Sequence, residues 1–255
     1  PLTYVVGSAL AISTVIITRA YHLGYVITIK NINLSSSKIT TSYSFIQLSD
    51  IHIGSNTKHD LERIVQKMDN LEYDFVVITG DLVDEDYAHY DDLTPLGSIK
   101  KPIYYITGNH EYYLRHKSFT DFIEKTDIHD INDKKVSFRE IDIYGIDEKS
   151  SVEKVLSEID VDNNRFALAL MHEPEKREMI QAQQKGIDLM LSGHTHNGQI
   201  FPFTWMVKIR YPFIAGIYYL ENMMINVSQG TSTWGPKMRW GTRNEITHIR
   251  VSVGK

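Results

Sequence analysis

The chain contains no cysteine among its 255 residues. That excludes disulfides, thiolate metal ligands and cysteine nucleophiles, so any bound metal must be held by imidazole, carboxylate or amide oxygen. The absence does not fix the compartment. An excess of positive charge is missing too. Lys and Arg total 27 against 32 Asp and Glu, a formal net charge of −5 with no basic tract, which argues against nucleic acid as a partner. There is no internal repeat, and no low-complexity stretch beyond the short serine run at 35–37. What is present is ordinary for a globular protein, 42% apolar and 23% charged, in a chain long enough for one sizeable domain or two small ones.

Residues 1–18, PLTYVVGSALAISTVIIT, carry no charge before Arg19. As a helix they would reach about 27 Å, close to the roughly 30 Å hydrocarbon core of a bilayer. They lack a basic n-region and an A-x-A-like cleavage site, which argues against a signal peptide. The chain begins at Pro1 and reads as a processed or truncated piece, with residues 1–20 a membrane helix or its C-terminal remnant. An amphipathic helix packed on the domain is the alternative. Residues 21–43 then read as a strand and linker leading into a domain over 44–255. Arg19, Lys30 and Lys38 point to a membrane-associated domain on the cytoplasmic face. Export to the cell envelope is the opposite reading.

From residue 25, YVITIKNINL alternates as a strand. Five short apolar runs follow, each stopping in a polar cluster: FIQL into Ser49-Asp50-Ile51-His52, FVVI into Thr79-Gly80-Asp81, IYYI into Thr107-Gly108-Asn109-His110, FALALM into His172-Glu173-Pro174, and LML into Ser192-Gly193-His194. Helical patterns lie between them, over 58–70, 117–126, 151–159 and 175–185. Buried strands alternating with helices indicate α/β layers. KVSFREIDIYGI, the hairpin-like IYYLENMMINVS turning at Glu221-Asn222, and the closing EITHIRVSV look antiparallel, so two sheets are expected rather than one.

Taken singly, each polar cluster has an ordinary reading: Asp50 or Asp81 as a turn or helix cap, Asn109 in a tight turn, His172 as a core histidine. Together they do not. Strand ends of α/β sheets are where ligands bind. Alternation predicts that Asp50 and His52 share a face, and that His194 and His196 share one side of a turn, although a metal pair would also accept a splayed arrangement. Asp50, His52, Asp81, Asn109, His172, His194 and His196 are seven donors, enough for two ions with four protein ligands each if one carboxylate is shared. A pair of divalent ions about 3.5–4 Å apart is the usual device for displacement at phosphorus.

The ordered set SDIH, GDLVD, GNHE, MHEP and GHTH resembles the calcineurin-like metallophosphoesterase superfamily over residues 44–253. The endings SGHTHNGQIFPF and GTSTWGPKMRWGTRNEIT further resemble a membrane-associated bacterial subgroup that includes YkuE-like proteins; Asn197 departs from it, since that subgroup more often has glycine there. The resemblance implies a four-layer αββα sandwich, two mixed sheets flanked by helices, with the metal site at the C-terminal ends of the strands. It implies that Asp50, His52 and His196 hold one ion, that Asn109, His172 and His194 hold the other, and that Asp81 bridges both. It implies in-line attack by a metal-bridging hydroxide, with His110 as the acid for the leaving group and Asp84 orienting His110. Mixed imidazole and oxygen donors suit Mn, Fe or Zn better than Ca, and Mn or Fe better than Mg alone.

Arg115, His116, Arg177 and Arg239 are candidate contacts to substrate phosphate, with solvated surface charge as the alternative for each. FPFTWMVKIRYPFIAG, 201–216, places a greasy, cationic lip beside two of the donors. It reads either as a crossover covering a sheet edge or as a surface for the membrane or for a lipid-linked substrate. The expected activity is that of a phosphodiesterase or pyrophosphatase. A phosphomonoesterase and a metal-bound, non-catalytic phosphate-binding scaffold are the alternatives.

Overall fold

The apolar runs become the centres of two six-stranded sheets in a computed structural model that describes residues 2–85, 88–114, 123 and 126–254. The strands are β1 (Ile27–Ser36), β2 (Tyr43–Leu48), β3 (Phe75–Thr79), β4 (Ile103–Ile106), β5 (Ile128–Asp130), β6 (Lys134–Phe138), β7 (Ile141–Gly145), β8 (Phe166–Leu170), β9 (Leu189–Ser192), β10 (Gly216–Leu220), β11 (Met223–Val227) and β12 (Asn244–Val253). The first sheet runs β1-β12-β2-β3-β4-β5 and the second β10-β11-β9-β8-β7-β6. Strands β2, β3, β4 and β5 are mutually parallel, as are β7, β8, β9 and β11. The antiparallel pairs are β12 with β2, β6 with β7, and β10 with β11, whose hairpin turns at Glu221-Asn222 as expected.

The runs are continuous because both faces of each strand are buried. Along β2 to β4, Phe45, Phe75, Val77, Tyr104 and Ile106 point between the sheets and meet Ile143, Leu168 and Leu170 of the second sheet. Ile46, Leu48, Val76, Ile78, Ile103 and Tyr105 point the other way, against helix α2 (Lys58–Met68). Phe45 stacks on Phe75 at 4.6 Å, and each such ring contributes about 1.5–3 kcal/mol by leaving water. Helix α2 starts at a capping box in which Thr57 and Asp60 exchange hydrogen bonds, and it buries Leu61, Ile64, Val65 and Met68 at helical spacing. Helices α3 (Val152–Glu158) and α4 (Lys176–Gln184) cover the second sheet, completing the four layers. The helix expected over 117–126 falls, but for Ile123 and Thr126, outside the described residues.

At the functional end a polar bridge locks the sheets together. Buried Gln47 donates to Thr79 Oγ1 (3.0 Å) and to the Ser192 carbonyl (3.0 Å), and it accepts from Asn226 Nδ2 (2.8 Å). These four residues belong to β2, β3, β9 and β11, so the strand ends of both sheets are brought to one edge.

Helix α1 (Leu2–Gly24) is longer than the 1–18 run that announced it. Only Ala20 and Gly24 of it are buried, so packing on the domain is not what covers it. Segment 21–43 supplies β1, paired in parallel with β12 at the edge of the first sheet. The last helix, α5 (Phe203–Arg210), buries none of its residues.

Candidate metal centre

Left-handed turns, not strand pleating, aim most of the donors. Asp50 and His52 lie beyond the end of β2 with φ of 54° and 52°; Asp81, His194 and His196 have φ of 53°, 68° and 47°. Each such non-glycine residue costs on the order of 1–3 kcal/mol, and the surrounding contacts must hold it. The Asp50 and His52 amides donate to the Gly80 and Asp81 carbonyls (3.1 and 3.0 Å). Asp50 accepts from Ser49 Oγ (2.5 Å) and the His194 amide (3.0 Å). The turns also require close approach. A Cβ at Gly108 would stand 2.2 Å from Asp81 Oδ1, and one at Gly193 would stand 1.9 Å from Ser49 Oγ. Asp50 and His52 converge on one cluster as expected, through left-handed turns rather than pleating. His194 and His196 take the splayed arrangement, each entering a different cluster.

One cluster unites Asp50, His52 and His196, and another unites Asp81, His172 and His194. His52 Nε2 lies 3.0 Å from His196 Nε2, which lies 3.4 Å from Asp50 Oδ1. His172 Nε2 lies 3.1 Å from Asp81 Oδ2 and 3.1 Å from Asn109 Oδ1. His194 Nδ1 lies 2.9 Å from the same Asn109 oxygen and 3.3 Å from His172 Nε2. Asp81 Oδ2 is also 3.7 Å from His52 Nε2, so it stands between the groups. Donors bound at about 2.1 Å to one ion stand about 3.0–3.4 Å apart, and these separations cluster around that range.

The ring nitrogens that point away from the clusters are held in turn. His172 Nδ1 faces the Thr79 carbonyl at 2.8 Å; a carbonyl only accepts, so Nδ1 carries the proton. His194 Nε2 faces Tyr211 Oη (3.0 Å) and Glu173 Oε1 (3.4 Å), and His52 Nδ1 faces Asp84 Oδ2 (3.3 Å). Their other ring nitrogens point into the clusters. Asn109 Oδ1, His172 Nε2 and His194 Nδ1 form a triangle 2.9–3.3 Å on a side. Burial of His172 is outweighed by Asp81 and Asp50, which hold it well above its usual range, a positive charge in this place that a divalent ion would replace. The donor set fits divalent ions. Burial and the adjacent His172 push His194 down to about 3, and burial with His52 and Arg239 holds His196 well below its usual range. Both rings are neutral, the form that binds metal. Burial pushes Asp81 up, but His172, His52 and His110 more than reverse this and keep it ionised.

Other expectations are redirected. His110 sits at the edge of the centre, its Nε2 4.0 Å from Asp81 Oδ2 and its ring edge-on to His52, Tyr113 and Trp234. Asp84 was expected to orient it. Instead Asp84 accepts from the Ser55 amide and hydroxyl (3.0 and 2.6 Å) and backs His52, and no Asp84–His110 bond occurs among the described residues. The cause is the bridge between Ile53 and Val83, which draws Ser55 over the carboxylate. Arg177 does not reach the site; it is exposed on α4 and pairs with Glu153 at 3.6 Å. Arg239 is no substrate contact either. It is wholly buried and donates to the carbonyls of His196 (2.8 Å), Gln229 (2.7 Å) and Ser232 (2.6 Å) and to Asn244 Oδ1 (2.7 Å). Its guanidinium fixes the His196 turn. Arg115 and His116 lie outside the described residues.

Three residues did not figure among the predicted site residues. Glu111 accepts from the amides of Asp81, Leu82, Val83 and Gly108 (3.1, 2.6, 3.0 and 2.7 Å) and so ties two donor turns together. Burial, with Asp81 nearby, pushes its carboxyl up to about 7. The fourth letter of GNHE was the only signal. Tyr211 and Glu173 grip the outer nitrogen of His194, and Tyr211 comes from the chain beyond α5, 17 residues along. Tyr211→Phe is expected to leave the fold intact and to weaken Mn(II) affinity about tenfold, the lower end of such outer-partner effects. A calorimetric titration checks this, and an unchanged affinity refutes the grip.

The centre floors a cavity of about 730 Å³ whose walls include His110, Tyr113, Phe203, Val207, Tyr211 and Trp234. Among the described residues its lining holds no lysine or arginine.

Residues 43–198 match the family described as calcineurin-like phosphoesterase. An uncharacterized metallophosphoesterase of Helicobacter pylori (strain J99) is 31% identical over 237 residues, covering 88% of this chain and 63% of that protein. A Danio rerio protein named transmembrane protein with metallophosphoesterase domain is 33% identical over 228 residues, covering 80% of this chain and 52% of its own. The chain thus spans a little under two thirds of the first relative and about half of the second. The protein TT1561 of Thermus thermophilus superposes with a TM-score of 0.50 at 12% identity, over 74% of this chain and 90% of that one. The NAD nucleotidase of Haemophilus influenzae does so with a TM-score of 0.50 at 12% identity, over 75% and 46%. At such identities the likeness speaks for the fold alone. The family match, extending over more than half of the sequence, carries the conclusion: the chain belongs to the calcineurin-like phosphoesterases.

Proposed function

We propose that this domain hydrolyses a phosphodiester, or a pyrophosphate carrying an apolar substituent, with two divalent ions. Asp50, His52 and His196 would hold one, Asn109, His172 and His194 the other, and Asp81 both; Mn, Fe or Zn suits these donors. When bound, the ions supply Lewis-acid polarisation of phosphoryl oxygen and an acidified water. The observation that carries the reading is the pair of donor clusters meeting at Asp81 on the cavity floor.

The chain's own groups supply the rest. His110, half-buried at the cavity wall, offers Nε2 as a proton donor to the leaving oxygen, and Tyr113 and Trp234 hold its ring edge-on. Phe203, Val207 and Ile200 exclude water on one side. Among the described residues the lining holds no lysine or arginine, which suits the single charge of a diester better than the dianion of a monoester. Helix α1, 23 residues and about 35 Å long at about 1.5 Å per residue, would carry the domain at a membrane.

The test is a chelated, then metal-reconstituted screen of p-nitrophenyl phosphate, bis(p-nitrophenyl) phosphate and a nucleotide pyrophosphate. Metal-dependent cleavage is expected, fastest on the diester or the pyrophosphate. Preference for the monoester would favour a phosphomonoesterase. Full metal loading without any cleavage would leave a phosphate-binding scaffold.

A further inference from the structure

Helix α5 shows apolar side chains on two opposite sides. Phe203, Val207 and Tyr211, four residues apart in turn, line the cavity. Trp205, Met206 and Ile209 face outward with 64%, 63% and 88% of their surface exposed. An exposed outer face this apolar marks an interaction surface.

Its place in the fold points to what covers it. The Phe201 amide, just before α5, donates to the Trp240 carbonyl at 2.9 Å. The loop that ends there also holds the end of α1. The Arg239 amide donates to the Ala20 carbonyl (2.9 Å), and Lys237 Nζ lies over the Tyr25 ring at 4.9 Å. The same loop sends Trp234 and Pro236 into the cavity wall. One loop therefore joins the start of α5, the end of the exposed apolar α1 and the mouth of the cavity. Lys208 and Arg210 flank Ile209 and supply cations for anionic headgroups, although Arg210 also pairs with Glu175.

We propose that the outer face of α5 lies in the headgroup–acyl boundary of the bilayer that α1 enters. The cavity then opens at the lipid surface, and its substrate is an amphiphile whose phosphoester is presented from the membrane. The substrate class rests on the phosphoester-hydrolase reading above; the docking of α5 does not.

The absence of cysteine makes the docking directly testable in the full chain. Trp205→Cys and Ile209→Cys, each labelled with an environment-sensitive fluorophore, are compared with Tyr219→Cys on the second sheet, a site that is also exposed. The proteins are reconstituted in phosphatidylcholine vesicles containing phosphatidylglycerol, with and without lipids spin-labelled near the headgroup. Quenching at 205 and 209 but not at 219 is expected. Unquenched labels on chains that have entered the vesicles would overturn the proposal. So would shielding that persists in lipid-free detergent and grows with protein concentration, which marks a second copy on this face. A Trp205→Glu, Ile209→Glu variant should cleave soluble bis(p-nitrophenyl) phosphate at the parent rate. Its rate on a vesicle-embedded phospholipid diester should fall about tenfold through lost local concentration. An equal rate on the embedded diester would overturn the substrate class. If the parent, loaded with metal, shows quenching but cleaves neither diester, the hydrolase reading fails while the docking stands.

Discussion

Asp81→Asn is expected to abolish hydrolysis of every phosphoester tested while leaving the fold intact. Asparagine is among the few residues that tolerate the left-handed backbone of position 81, where φ is 53°. Glu111 would still hold the backbone amides of the turn, because those bonds do not involve the Asp81 side chain. The change therefore isolates one charge. That charge faces His172 at 3.1 Å and His52 at 3.7 Å, one ring from each donor cluster. Without it, the donor set keeps Asp50 as its remaining carboxylate. Losing several kcal/mol of charge stabilisation corresponds to about three orders of magnitude or more in rate. Elemental analysis should show fewer than two ions per chain, and the thermal transition should not fall. A variant that retains two ions and full turnover would remove Asp81 from the bridging position.

His110→Asn is expected to retain both ions and to lose turnover in proportion to how much the leaving group needs a proton. The backbone amide of residue 110 donates to Asp81 Oδ1 at 2.9 Å whatever the side chain, so the Asp81 turn survives. With alkyl leaving groups, loss of a positioned acid lowers kcat by about 10²–10⁴-fold; with p-nitrophenolate it changes little. The measurement is the slope of log kcat against leaving-group pKa, which should steepen in the variant. His52, Asp81 and His110 also present ligand atoms within 4.8 Å of one another, so metal content is the deciding control. Loss of an ion would make His110 a ligand rather than an acid. Asp84 separates the two roles again. Because it backs His52 and not His110, Asp84→Asn should weaken metal binding and leave the leaving-group slope as it was.

Much of the centre was legible along the chain because its chemistry is confined to strand ends. Buried strands must be apolar on both faces, so the first polar residues after each run stand out. Asp50, Asp81, Asn109, His172 and His194 are all of this kind. The helical spacing of Leu61, Ile64, Val65 and Met68 and the Glu221-Asn222 hairpin are equally local, and both stand as read.

What stayed hidden depends on groups distant in sequence. The spacing of His194 and His196 is compatible with one shared side or with a splay, and the left-handed turns held by Asp50 and Arg239 decide for the splay. Arg239 looked like a surface cation because nothing near it in the chain announces the carbonyls that bury it; three of its acceptors come from residues 196, 229 and 232. Asp84 looked like a partner of His110 until the loop at Ser55 folded over it. Tyr211 reads as one more aromatic in a greasy run, yet α5 turns it back onto His194 and turns Ile209 outward. The sequence by itself determined which donors exist and that they gather at one edge, because burial and strand length are local constraints. Only the tertiary structure decided which donors face each other, which cation is structural and which face of α5 is left uncovered, because those follow from turns and contacts made across the two sheets.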